Sequence, residues 1–186
     1  MLIFGNGEFA KVMHFHLNCP LTVHRRFMKY DEIAFEEADP QEIVISIGHK
    51  HRRAIFDECT ERHFTVFGYV SNRAIVNGYV WPGAIVFEGN NVQPFASVGR
   101  NTVLWSGNHI GHHSRIGDHC FITSHVCIGG GAEIGDCAFI GMNATVFDHV
   151  KIGANCVIAA GAVVDRDIPD NHTLSRKGIL VKNEQS

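Results

Sequence analysis

Thirteen histidines stand in 186 residues, and five of them (His109, His112, His113, His119 and His125) crowd between positions 109 and 125. An unperturbed imidazole titrates near pH 6.5, so a histidine-rich stretch offers general-base chemistry or metal ligation. Downstream, Gly129-Gly130-Gly131 removes side chains from three consecutive positions. Bare backbone of this kind offers amide donors where an oxyanion could form. The six cysteines are irregularly spaced and include no C-x-x-C pair, which implies neither a zinc ribbon nor a disulfide framework. No Ser-His-Asp or Cys-His signature points to a covalent nucleophile.

What must position these residues is a repeat. Starting at Val80 and stepping by six, the chain reads Val80, Val86, Val92, Val98, Leu104, Ile110, Ile116 and Ile122, then Ile128, Ile134, Ile140, Val146, Ile152, Ile158 and Val164. The next position is glycine at Gly99, Gly111, Gly117, Gly129, Gly135, Gly141 and Gly153, where it is expected to permit a tight turn. The fifth position of each hexad is small or asparagine, as at Ala96, Asn90, Asn108, Cys120 and Cys156. Cys120 and Cys156 are expected to be packed inside rather than reactive, and Asn90 and Asn108 to stack as a short buried ladder.

The flanks are different. Leu2-Ile3-Phe4 predicts a strand, Gly5-Asn6-Gly7 a turn and residues 8–17 a helix; residues 43–47, Gly48 and residues 50–61 repeat that order, and 64–70 add a strand. This predicts a small α/β domain of βαβ type over 1–73, and residues 167–186 a C-terminal tail. A glycine turn before a helix can hold phosphate. Sixteen basic against nineteen acidic residues give a net charge of -3, without the basic stripe that nucleic-acid binding requires. No apolar stretch is long enough for membrane insertion, so a cytoplasmic protein is expected.

The hexads resemble the hexapeptide repeat of the left-handed parallel β-helix, in which three hexads make one triangular coil. Fifteen hexads then predict an all-β prism of about five coils over 74–166. One coil is eighteen residues, so His113, His119 and His125 fall on three different corners. His149 lies two coils from His113, about 10 Å at the spacing of paired strands, too far to share a metal. With the βαβ domain in front, nearly the whole chain is similar to the sialic acid O-acetyltransferase and bacillosamine N-acetyltransferase group of sugar acyltransferases.

That resemblance implies an acetyl-CoA-dependent transferase acting on an amine or hydroxyl of a sugar or nucleotide-sugar, without a metal, as a homotrimer with sites between neighbouring prisms. The hexad Ile110-Gly111-His112-His113-Ser114-Arg115 matches the one that carries the family's general base, which falls on His112. His113 stands where the family commonly has an orienting glutamate. The thioester oxygen would rest on the Gly130 amide one coil up, and further CoA contacts fall on Met142 and Ala160. Gly5, Asn6 and Gly7, with Glu8-Phe9 in place of the family's usual glycine-histidine, match the acceptor-binding turn; Gly48 and Arg53 match the second. Two other functions are compatible with a β-helix: a non-catalytic hexapeptide scaffold, and a metal lyase of the γ-carbonic anhydrase type. The latter needs two zinc-binding histidines five residues apart, a spacing missing between 109 and 149.

Overall fold

A computed structural model describes residues 2–4, 8–17 and 42–183, and the chain divides into two compact units, Met1–Phe67 and Gly68–Ser186. In the first unit β1 (Leu2–Phe4), β2 (Glu42–Ile45) and β3 (Thr65–Val66) form a parallel sheet in the order β1-β2-β3. Helix α1 (Glu8–Leu17) follows β1, and a 3-10 turn at His49–His51 leads into α2 (Arg52–Glu61). Ile43, Ile45, Ile55 and Cys59 form the core between sheet and α2. Arg52 is buried there and donates from Nη1 to the Ile45 and Ile47 carbonyls, both at 3.0 Å. Burial pushes its guanidinium down to about 9, so it still carries its charge at neutral pH.

The second unit is a left-handed parallel β-helix whose strands stack in three sheets of eight, six and five members. Successive coils pair eighteen residues apart through most of its length, for example His109 with Cys127 and Ile110 with Ile128. The aliphatic member of each hexad points inward. All fifteen except Val80, in the first coil, are at most 3 % exposed. Parallel strands with one wall buried in this way accommodate β-branched side chains well.

The prism has about six turns rather than five, because both ends step out of the six-residue period. Val76 is followed inward by Val80, four residues on, and Val164 by Ile168, also four on. Coils there repeat after sixteen residues, with Tyr69 opposite Ile85 and Val157 opposite Thr173. Tyr69–Val70, expected to extend β3, thus belongs to the prism, and Ile168 and Leu174, expected in the tail, are buried inside it. The chain then turns back as an antiparallel pair, His172–Leu174 with Leu180–Lys182.

The role expected of the repeat glycines also changes. The left-handed backbone of each corner lies two residues further on, at Gly83, Gly89, Phe95, Asn101, Gly107, His113, His119, His125, Gly131, Cys137, Asn143, His149, Asn155 and Gly161. Glycine, asparagine and histidine tolerate that region better than most residues, which accounts for four of the histidines. The glycine after the aliphatic is needed for close approach instead: a Cβ at Gly111 would lie 2.6 Å from the Gly129 carbonyl carbon of the next coil.

The small inward column is tied together by hydrogen bonds. Asn108 donates its backbone N–H to Asn90 Oδ1 at 3.2 Å, and Val126 donates to Asn108 Oδ1 at 2.7 Å. Cys120 donates its thiol to the Gly135 carbonyl at 3.2 Å, and burial pushes that thiol up to about 12. Since the thiolate is the nucleophile, iodoacetamide at pH 8 should label exposed Cys127 in the native protein and leave Cys120 and Cys156 untouched until denaturant is added. Peptide mapping reads the outcome, and native labelling of Cys120 would contradict its placement.

Candidate active site

His112 and His113 occupy a corner between the six- and five-stranded sheets, on the turn joining His109–Ile110 to Arg115–Ile116. Both are exposed. Their Nδ1 atoms lie 3.1 Å apart with the rings nearly perpendicular, at 86°. One nitrogen must donate and the other accept, so the pair fixes complementary tautomers. With His112 Nδ1 engaged, its Nε2 is left for a substrate. No carboxylate takes the place of His113 in this contact.

The next coil supplies the surface against which His112 lies. A Cβ at Gly130 would fall 2.6 Å from His112 Cε1 and 2.8 Å from Nε2. Gly131, at φ +66°, is covered in turn by the His149 ring, whose Nδ1 would sit 2.5 Å from an added Cβ. Gly130 and Gly131 are therefore covered by imidazoles, while Gly129 lies against the Asp148 carboxylate. The Gly130 N–H, expected to hold a thioester oxygen, donates to Asp148 Oδ1 at 2.7 Å. This is a general device of the prism: Asp118 caps the Arg100 N–H at 2.6 Å and Asp136 caps the Asp118 N–H at 2.8 Å, each one coil away. The contribution of Gly130 visible here is its missing Cβ.

From the coil below, Gln93 Oε1 accepts the His112 N–H at 3.0 Å, and the Pro94 carbonyl accepts the His113 N–H at 3.3 Å. Phe95 stacks on His113, with centroids 4.8 Å apart and planes at 29°. Sequence reasoning missed Gln93 and Phe95. The signal was available, since 95 and 113 are separated by one eighteen-residue coil.

The remaining expected residues lie elsewhere. Met142 and Ala160 occupy the corner between the eight- and six-stranded sheets, exposed and one above the other, so they do not share a corner with His112. Gly5, Asn6 and Gly7 lie outside the described residues. Glu8, which follows them, pairs with Lys11 at 2.7 Å. Gly48 precedes the 3-10 turn with φ -66°, and Arg53 is exposed and 3.7 Å from Asp57. The neighbouring Arg52 is the arginine that turns inward.

A groove of about 960 Å³ follows the five-stranded sheet between Trp81 and Asp170, and its walls do not include His112. Arg115, Glu133 and Lys151 alternate along it, with Glu133 3.8 Å from Arg115 and 3.5 Å from Lys151. One carboxylate is thus shared by two cations. Among the described residues, no three histidine, cysteine, aspartate or glutamate side chains gather as metal ligands, and no helix is long and apolar enough to cross a membrane.

Residues 95–130 and 131–166 each match the family model for the bacterial transferase hexapeptide (six repeats), and residues 114–147 match the hexapeptide repeat of succinyl-transferase. No curated protein matches the chain. Among solved structures, PerB from Caulobacter crescentus, in complex with CoA and GDP-perosamine, has a TM-score of 0.84 at 24% identity, covering 94% of this chain and 92% of that one. The acetyltransferase domain of PglB from Neisseria gonorrhoeae has a TM-score of 0.81 at 18% identity, covering 94% and 95%. Residues 95–166 thus match the bacterial transferase hexapeptide model, and the chain as a whole shares the left-handed β-helix fold of PerB and of the PglB acetyltransferase domain.

Proposed function

We propose that the protein is an acetyl-CoA-dependent acetyltransferase acting on an amino or hydroxyl group of a sugar, nucleotide-linked as in GDP-perosamine, and that it serves surface glycan synthesis. The observation that carries this reading is the His112–His113 pair, which leaves one imidazole nitrogen of His112 open beside bare backbone. Similarity of fold to PerB, bound to CoA and a nucleotide-sugar, supports the substrates.

In the mechanism, the acceptor gives its proton to His112 Nε2 and attacks the thioester carbonyl carbon. The tetrahedral adduct then collapses to the acetylated sugar, and the departing CoA thiolate takes the proton from His112. His113 accepts from His112 Nδ1–H throughout, holding the imidazolium in place. No covalent enzyme intermediate or metal takes part. Met142 and Ala160 line the CoA path, and the first unit binds the acceptor through Gly5, Asn6, Gly7, Gly48 and Arg53. Because Met142 and His112 are on different corners of one prism, a site using both is built between copies, which supports a homotrimer.

His112→Ala should lower kcat by roughly 100-fold or more while acetyl-CoA affinity, read by calorimetry, barely changes. His113→Ala should cost less, about 10-fold, because it orients the base without reacting. Full activity in both variants would overturn the assignment. Gly130→Ala puts a methyl where the His112 ring lies, and a ring can swing aside more easily than backbone. It should therefore leave Tm near wild type yet cut kcat by as much as ~100-fold; unchanged kcat would remove Gly130 from the site. Multi-angle light scattering should give three chains per particle, and an active monomer would refute the shared site.

A further inference from the structure

Phe95 is out of place by every local criterion. Its φ is +64°, in the left-handed region, where a bulky side chain is a costly occupant. The equivalent turns of the other coils place asparagine, histidine, glycine or one cysteine there. Burial does not compensate, since Phe95 is 76% exposed. Its ring instead stacks on His113, whose Nδ1 meets His112 Nδ1 at 3.1 Å. The two residues before it, Gln93 and Pro94, accept the backbone N–H groups of His112 and His113. Three consecutive residues of one coil thus hold the two histidines of the next.

We propose that Phe95 is a positioning residue: its ring holds the His113 imidazole in the orientation in which Nδ1 accepts from His112 Nδ1–H, fixing the His112 tautomer that leaves Nε2 unprotonated. This rests on the proposed function, in which Nε2 is the base. An exposed imidazole without such a contact rotates among rotamers and exchanges tautomers, and His113 has no carboxylate's charge to hold its partner. Stacking against an aromatic face restricts that rotation.

The test is Phe95→Asn, because asparagine suits the backbone better than phenylalanine. A merely structural change of this kind relieves strain and leaves the chemistry alone. The positioning role predicts an opposite pairing: Tm equal to or above wild type, kcat lowered roughly 10-fold and KM for acetyl-CoA unchanged. Phe95→Tyr, which keeps the ring, should restore kcat. Nitrogen-15 correlation spectra of the imidazoles give a readout free of activity. His112 should show a single Nδ1–H tautomer in the wild type and averaged tautomers in Phe95→Asn. A His112 tautomer unchanged in Phe95→Asn overturns the proposal, whatever happens to Tm or kcat. Absence of transferase activity in the wild type would instead overturn the proposed function, while the spectra would still decide the role of Phe95.

Discussion

Because the chain returns above itself after eighteen residues, every side chain in the prism has a counterpart directly over and under it, and each coil must satisfy the backbone of its neighbours. Inward positions hold aliphatic or small side chains and the hydrogen-bonded asparagines Asn90 and Asn108. Amides left free at a corner are capped by a carboxylate or amide from an adjacent coil, as Asp118 caps Arg100 and Asn90 caps Asn108. Polar side chains open to a ligand therefore stand at outer corners, and the proposed site draws on residues separated by whole coils: Phe95, then His112 and His113, then Gly130 and Gly131, then Asp148 and His149.

That regularity made the interior legible without coordinates. The step of six found the inward aliphatics from Val86 to Val164, and the neighbouring column found Cys120, Cys156 and the Asn90–Asn108 ladder. In the first unit, the strand–turn–helix order located α1 at Glu8–Leu17, although part of the second expected helix is a 3-10 turn. The step also set limits. A fixed period cannot see a corner shortened by two residues, so Val70, Val76, Ile168 and Leu174 went uncounted. Composition marked glycine as the turn residue, whereas the left-handed residue lies two places later and is often histidine. Counting coils puts Asp148 two coils above His112, but that its carboxylate takes the Gly130 N–H depends on a rotamer rather than a register.

A histidine in the place of an orienting carboxylate alters what the second residue of the pair can do. A carboxylate only accepts, and it adds negative charge beside the imidazole; a neutral imidazole accepts through one nitrogen only in one tautomer. The contact thus needs its own support, and the stacked ring of Phe95 and the Pro94 carbonyl both act on His113 rather than on His112.

The strand edges at the two ends of the prism bear on end-to-end stacking. A solenoid of uniform coils presents at each end a ring of unpaired strand edges matching the opposite end of another molecule, an invitation to stack into fibres. Here the short steps from Val76 to Val80 and from Val164 to Ile168 make the terminal triangles smaller than those between them, and Leu180–Lys182 lies antiparallel across one rim. Both ends are shortened alike, between the six- and five-stranded sheets, but on the eight-stranded sheet a second prism brought end to end would meet a strand of the wrong direction. The reversed strand thereby closes one edge of that sheet to parallel addition, at no cost to the register of the corner that carries His112.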